Sequence, residues 1–242
     1  MYSLDDPLRP RLVQIQQVPA YGLAGTGTYL YALRYAQSRH EPTVLTVLDS
    51  RSAPALTSVN ALPLFMGEGK VAALGSHQVV CTKDRVLWVV DALKPHGAEA
   101  SEAVTLPGAL KDLVVRDTTC YGVTDNRVFV IIDLSPPARP AVVRTLDLGD
   151  SCFQLAAEGD LVVTSGEKGL YLVDVRTSAS AALAGSCPTK QRHAAFCLRG
   201  TRVYLLDSGS LVALDAGSPA SPQVTATVGR MIHADQIQLH GA

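Results

Sequence analysis

Short runs of apolar residues recur along this chain, and each run ends at an aspartate. The runs are Tyr2–Asp5, Leu45–Asp49, Leu87–Asp91, Val128–Asp133, Leu170–Asp174 and Leu211–Asp215. Successive aspartates are separated by 44, 42, 42, 41 and 41 residues. Because self-similarity at one fixed period is typical of repeat proteins, the chain is predicted to hold six copies of a unit of about 42 residues.

Each copy has the pattern of four short strands. A polar turn follows the aspartate and in most copies contains proline, as in DLSPPARP at 133–140. Aspartate can accept a hydrogen bond from the backbone two residues on, and proline fixes φ for a turn. An alternating strand such as AVVRTL at 141–146 comes next, then a strand of small residues and a hairpin to a further strand. No helical periodicity is sustained, so the unit is predicted to be an antiparallel four-stranded sheet.

A repeated four-stranded unit of this length predicts an all-β protein with a single β-propeller domain over residues 1–242. The first copy starts at its third strand, which ends at Asp5, and its fourth strand is expected within 11–18. Residues 236–239 have the pattern of a first strand. We therefore expect six blades, the last closed by N-terminal and C-terminal strands and short of one strand. Five full blades with a different closure are the alternative.

Two copies carry a more specific motif. LYLVDVR at 170–176 and VFVIIDLSPPARP at 128–140 resemble the LVIVDVSDPxxP core of the LVIVD-repeat family of β-propellers. The resemblance extends over nearly the whole chain, although the turns after Asp91 and Asp215 depart from it while keeping the aspartate. It implies the propeller fold and says almost nothing about activity. The WD40 signature is missing, since the one tryptophan, Trp88, is not followed by aspartate.

Charge and cysteine content narrow the function classes. The 21 Lys and Arg balance 22 Asp and Glu without a basic stripe, so neither nucleic acid nor a membrane surface is an expected partner. The first ten residues do not have the basic start and apolar run of a signal peptide, and no apolar stretch approaches the ~18 residues of a membrane span. Five cysteines without CxxC spacing indicate no disulfide framework. A reducing, cytoplasmic setting is therefore expected.

Charged residues lie in the loops that precede the first strand of each copy, and a closed ring brings these loops to one rim. The rim residues are Glu68, Lys70, Lys111, Asp112, Asp150, Lys190, Arg192, His193, Arg230, His233 and Asp235. A mixed set of acids and bases suits an anionic ligand or a charged segment of a partner protein. The simpler interpretation, which the sequence favours, is that these are ordinary solvated loop residues.

The sequence predicts no catalytic residue, no metal site and no cofactor. His193, His233 and Asp235 are the only metal-ligand candidates on the rim, and the chain has only two asparagines. Cys187 lies near His193 but is expected to end an outer strand. The glycines at 22–27 resemble a phosphate loop without the helix that such a loop requires.

Three functional hypotheses follow from these observations. The first is a non-enzymatic propeller that serves as a protein–protein interaction scaffold or as a subunit of a larger assembly. The alternative is a metal-dependent hydrolase or lyase that acts on a small molecule at the channel mouth, so enzyme activity stays open with its absence favoured. The third is a homo-oligomer formed through the incomplete closing blade. The six recurrent aspartates are interpreted as turn-capping residues, because six copies cannot share one active site.

Overall fold

The computed structural model describes residues 2–3, 11–12, 20–26, 28–34, 42–51, 56–64, 69–93, 103–137, 139–191 and 194–230. The chain divides into two compact units, Met1–Val104 with Pro136–Pro140 and Thr105–Ser135 with Ala141–Ala242. Within the described ranges, no helix is long and apolar enough to cross a membrane. A single domain over residues 1–242 stays a prediction.

The first unit holds a two-stranded sheet and two four-stranded sheets. The short sheet pairs β1 (Tyr2–Ser3) with β2 (Arg11–Leu12). Sheet 1 consists of β3 (Gly22–Gly25), β4 (Tyr29–Arg34), β5 (Val44–Asp49) and β6 (Thr57–Pro63). Sheet 2 consists of β7 (Lys70–Leu74), β8 (Gln78–Lys83), β9 (Val86–Asp91) and β10 (Val104–Thr105), which ends at the unit boundary.

The second unit holds three four-stranded antiparallel sheets. Sheet 3 consists of β11 (Leu110–Arg116), β12 (Thr119–Thr124), β13 (Val128–Asp133) and β14 (Ala141–Asp147). Sheet 4 consists of β15 (Cys152–Glu158), β16 (Leu161–Gly166), β17 (Gly169–Asp174) and β18 (Ala182–Pro188), with a 3₁₀ turn at Ser178–Ser180 before its last strand. Sheet 5 consists of β19 (Phe196–Arg199), β20 (Arg202–Asp207), β21 (Ser210–Asp215) and β22 (Gln223–Arg230).

In every four-stranded sheet the spatial order follows the chain order, so each repeat is a simple meander. The second and third strands are rich in Val, Ile and Leu, whose branched side chains pack well on a pleated surface. Apolar residues fill the space between neighbouring sheets of one unit. Sheets 3 and 4 share a cluster with Phe129, Ile131, Val162 and Val173, and sheets 4 and 5 share one with Val163, Leu172, Phe196, Val203 and Leu214.

The recurrent aspartates cap the turn after each third strand. The Oδ1 atom of each accepts a hydrogen bond from the backbone N–H two residues on. The pairs are Asp49 with Arg51 (2.8 Å), Asp91 with Leu93 (3.1 Å), Asp133 with Ser135 (2.8 Å), Asp174 with Arg176 (3.1 Å) and Asp215 with Gly217 (2.8 Å). This confirms the turn-capping interpretation for the five copies whose aspartates are described, while Asp5 lies outside the described residues.

The fourth strands of sheets 1, 3, 4 and 5 share one irregularity. Each has a bulge where its register with the third strand shifts, next to Val47, Ile131, Leu172 and Ala213 respectively. A bulge bends the strand and increases its twist. In sheet 3 the residue beside the bulge, Arg144, donates from Nε to the carbonyl of Ala181, just before β18 of sheet 4, at 3.3 Å. The same irregularity at the same place shows that the copies are equivalent in detail.

The expected six blades are corrected to five complete four-stranded sheets in the described part of the chain. The first copy contributes only β1 and β2 there, which pair as the expected third and fourth strands, with Tyr2 opposite Leu12. The first strand expected at 236–239 lies outside the described residues. The all-β class and the four-stranded antiparallel unit are confirmed.

Candidate functional site

Two of the predicted rim residues are aspartates that accept hydrogen bonds from other residues of the second unit. Asp112, on β11, accepts a hydrogen bond at Oδ2 from the backbone N–H of Leu155 on β15, at 2.9 Å. Asp150 is only 3% exposed. Its carboxylate accepts hydrogen bonds from the N–H groups of Ser151 and Lys168, at 2.9 and 2.8 Å, and from the hydroxyl of Tyr171, at 2.9 Å. Both aspartates therefore join strands and turns rather than facing a ligand.

The rim lysines are placed differently. The side chains of Lys70, Lys111 and Lys190 are exposed, as the simpler interpretation expects. The backbone N–H groups of Lys190 and Gln191 donate to Oδ1 of Asp207, at 2.9 and 2.8 Å. These two bonds tie the loop before β19 to the turn between β20 and β21.

Most of the remaining rim residues lie outside the part of the chain that the structure describes. Glu68, Arg192, His193, His233 and Asp235 lie outside the described residues, and nothing is described of the Arg230 side chain at the end of β22. Convergence of the rim thus stays a prediction. Over the ranges that the structure describes, no group of three or more His, Cys, Asp or Glu side chains is arranged to hold a metal ion.

The thiols are free in the structure, and burial raises the pKa of each. It raises the pKa of Cys81 and Cys120 to about 12, and that of Cys152 to about 11. Burial also raises the pKa of the half-buried Cys187, and the negative charge of Asp207 raises it further. A raised pKa keeps the thiol protonated, which disfavours the thiolate that a nucleophile needs.

A cleft lies between sheets 4 and 5, at the end of these sheets opposite to the rim loops. Its volume is about 490 Å³, within the range of small-molecule pockets. It is lined by Glu158, Gly159, Asp160, Leu161, Asp174, Arg176, Gly200, Thr201, Ala216, Gly217 and Pro219. The lining therefore comes from four turns, two after the first strands and two after the third strands.

Local backbone geometry positions the walls of the cleft. Glu158 is the last residue of β15 and pairs with Leu161 across a two-residue turn. Gly159 and Gly200 have φ values of +55° and +59°, a left-handed conformation that glycine adopts without strain. The N–H of Val175 donates to the carbonyl of Asp160 at 2.9 Å, so the two turns of sheet 4 are held together.

Two charged side chains in the cleft lining, those of Arg176 and Asp174, form an ion pair with each other. Arg176 Nη2 lies 2.5 Å from Asp174 Oδ2, and Arg176 Nε bonds both carboxylate oxygens at 3.0 and 3.1 Å. These hydrogen bonds lower the pKa of Asp174 and raise that of Arg176. The Asp174 carboxylate is thus satisfied by its own turn.

Two further carboxylates line the cleft, and one of them, the exposed Asp160, lies near enough to Arg176 to help raise the pKa of that guanidinium. Within the described part of the chain, the carboxylates of Glu158 and Asp160 make no hydrogen bond or ion pair with another residue. The cleft lining holds three carboxylates and one guanidinium. Beside them the surface is apolar, with Leu161 6% and Ala216 1% exposed. The arrangement suits a group that is positively charged at one end and flanked by apolar atoms.

The neighbouring junction, between sheets 3 and 4, is built from equivalent positions and is bridged by a side chain, so it is called the sealed junction below. Arg116 ends β11 opposite Thr119, as Glu158 ends β15 opposite Leu161. The guanidinium of Arg116 donates from Nη1 to the carbonyl of Gly159 in the next sheet. Glu158 cannot do the same for Gly200, because a carboxylate and a carbonyl are both acceptors.

Sequence reasoning missed this cleft. It treated Asp174 as a turn cap, which is correct, and assigned no role to Glu158 or Asp160. In the sequence the difference shows only as an arginine at 116 and a glutamate 42 residues later, at 158, and the strand pairing makes these two positions equivalent. Its meaning depends on which turns the fold brings together.

No family model matches the chain, and no curated protein matches it. Three solved structures show the same kind of fold. The computationally designed Ika8 protein matches at TM-score 0.68 with 13% identity over 91% of this chain. A functionally unknown protein from Desulfotomaculum acetoxidans matches at 0.69 with 9% identity over 86%, and a protein from Lactobacillus plantarum at 0.62 with 10% identity over 91%.

These likenesses concern the fold alone, because all identities are low. The chain spans 65% of the designed protein, 68% of the Desulfotomaculum protein and 87% of the Lactobacillus protein. Together with the five repeated sheets, they fit a β-propeller-like fold.

Proposed function

We propose that this chain is a non-enzymatic β-propeller of the LVIVD-repeat kind that acts as a protein–protein interaction scaffold. In this proposal the five sheets are blades of a closed ring, and the β1–β2 hairpin belongs to the closing blade. The protein works in a reducing, cytoplasmic setting, in keeping with its free cysteines.

The cleft between sheets 4 and 5 is the observation that supports an interaction role. It stays open at a junction whose neighbour is sealed by a side chain of the same fold position, Arg116. Its walls are fixed by backbone hydrogen bonds, including Ala216 N–H to the carbonyl of Thr201 at 2.7 Å. A rigid pocket loses little conformational freedom on binding, which favours recognition of a partner.

The test compares the partners that three forms of the full-length chain retain from native cells, with mass spectrometry as the readout. The forms are the wild-type chain, Glu158→Arg and, as a matched control, Glu167→Arg in the turn between β16 and β17. We expect at least one stoichiometric protein partner to be retained by the wild type and the control but lost from Glu158→Arg. Identical partner lists from all three forms would remove the cleft as the contact site.

Two other outcomes decide between this proposal and the remaining hypotheses. Metal-dependent turnover of small-molecule esters or lactones, in the absence of a retained partner, would favour the hydrolase or lyase alternative. A dimeric or larger mass for the purified chain in light scattering, with no other protein present, would favour the homo-oligomer. A monomeric mass together with cleft-dependent capture supports the scaffold.

A further inference from the structure

The cleft differs from the sealed junction in the residue that ends the first strand, and this difference suggests what the cleft binds. At the junction of sheets 3 and 4, Arg116 reaches from the end of a first strand to the carbonyl of Gly159 in the next sheet. At the junction of sheets 4 and 5 the equivalent positions hold Glu158 and Gly200, and both line the cleft. The guanidinium in the described lining is that of Arg176, which is paired with Asp174.

We infer that the cleft receives an arginine side chain of a partner protein, which takes the place that Arg116 occupies at the sealed junction. The inference rests on the proposed interaction function and specifies which side chain of the partner protein is bound. The incoming guanidinium donates to the Gly200 carbonyl and pairs with the carboxylates of Glu158 and Asp160. Its methylene stem lies against Leu161 and Ala216, which are buried at the base of the cleft.

Charge supports an arginine over the other side chains of a partner. Asp174 is already held by Arg176, whose charge also acts on Asp160, so three carboxylates and one guanidinium leave the lining with two net negative charges. Arginine presents five N–H donors in a flat fork, which can bond a carboxylate and a carbonyl at once. Lysine offers a single compact ammonium, and an acidic or neutral segment leaves the carboxylates unpaired.

A second tether of the sealed junction is also missing at the cleft. In sheet 3, Asp112 bonds the Leu155 N–H of sheet 4. The equivalent residue of β15, after the same register shift, is Gln154, whose side chain is exposed. Neither the side chain of Gln154 nor that of Glu158 bonds to the described residues of sheet 5. Sheets 4 and 5 therefore leave room for a side chain of another protein.

The test uses the ¹⁵N-labelled full-length chain and three small probes, N-acetyl-arginine amide, N-acetyl-lysine amide and N-acetyl-citrulline amide. Citrulline keeps the shape of arginine without its charge. We expect saturable shifts of the Gly200, Thr201 and Ala216 amide signals with the arginine probe. Its affinity should exceed that of the citrulline probe about tenfold or more, since charge-assisted hydrogen bonds are lost in citrulline.

Two variants assign the effect to the cleft. Glu158→Gln should abolish the preference for arginine over citrulline, and Glu167→Gln, at the opposite end of the same sheet, should leave it unchanged. Circular dichroism and the thermal midpoint verify that both variants fold. Equal binding of all three probes, or shifts confined to other regions, overturns the inference, and equal binding of arginine and lysine replaces it with a site for any cation.

The inference and the proposed function fail in distinguishable ways. Loss of the captured partner in Glu158→Arg, with arginine and citrulline probes binding alike, leaves the scaffold standing and refutes the arginine site. Selective binding of the arginine probe, with no partner whose capture depends on Glu158, supports the site and refutes the scaffold.

Discussion

The junctions on the two sides of sheet 4 show how a repeat protein makes one interface structural and leaves another open. Both junctions have an apolar cluster between their sheets. The junction of sheets 3 and 4 adds two polar tethers, from Asp112 and Arg116. The junction of sheets 4 and 5 has Gln154 and Glu158 at the equivalent positions and contains the 490 Å³ cleft. The two junctions therefore differ at two side-chain positions of equivalent seven-residue strands.

The strongest test of this comparison reverses the charge at the sealed junction. Arg116→Glu should lower the free energy of unfolding by about 2–3 kcal/mol, since it removes the donor to Gly159 and adds a carboxylate near Asp117 and Asp160. Urea unfolding followed by circular dichroism measures the change. Arg199→Glu, at the equivalent but exposed end of β19, should stay within about 0.5 kcal/mol of wild type. Equal losses in the two variants would mean that the Arg116 tether does not matter.

The second tether is expected to contribute somewhat less. Asp112→Ala should destabilise the protein by about 1–2 kcal/mol, because the Leu155 N–H loses its acceptor. Gln154→Ala is the matched control at the equivalent position of β15, and it should change stability by less than about 0.5 kcal/mol. Chemical denaturation of both variants provides the measurement. A cost for Gln154→Ala as large as that for Asp112→Ala would contradict the asymmetry between the junctions.

Closing the cleft should have a smaller, stabilising effect. Glu158→Arg gives sheet 4 the side chain that sheet 3 has at Arg116, so it should donate to the Gly200 carbonyl. We expect a gain of about 0.5–1 kcal/mol in unfolding free energy, the net value of a typical hydrogen bond. Thermal and urea unfolding measure the gain, and binding of the arginine probe should disappear in the same variant. A stabilised variant that still binds the probe would show that the ligand does not enter beside residue 158.

The smallest expected effect concerns the ion pair inside the cleft. Arg176 lowers the pKa of Asp174, so this carboxylate contributes stability above its ordinary pKa and loses it as the pH falls through the lowered value. Arg176→Ala should raise the pKa of Asp174 back towards the ordinary range, because its main hydrogen bonds are gone. A ¹³C-detected titration of the Asp174 carboxyl measures this change. An unaltered titration curve would mean that the turn backbone alone sets the pKa.

Much of the fold could be predicted from the sequence because its strongest signals are local. The turn after each third strand depends on one aspartate and on the N–H two residues away, as at Asp133 and Ser135. Alternating residues such as those of β14 mark a strand with one solvated face, independently of its neighbours. The aspartate turn recurs in the five copies whose aspartates are described.

The candidate site could not be predicted in the same way. The rim residues were chosen because they share a loop position, but Asp112 and Asp150 proved to bond the backbone of Leu155 and Lys168. A carboxylate in a loop has the same sequence signal whether it binds a ligand or an N–H group of its own fold. The cleft residue Glu158 carried no signal of its own, since a glutamate at a strand end is ordinary on a protein surface.

The sequence by itself determined the repeat, its period, the four-stranded unit and the aspartate turns, because each depends on residues close together along the chain. The tertiary structure was needed to show how many complete sheets the described residues form and which turns face each other. It alone placed the Arg116 guanidinium against Gly159 and left Glu158 beside an open cleft. These positions are about 42 residues apart along the chain, and whether a donor meets an acceptor across that distance depends on how neighbouring sheets pack.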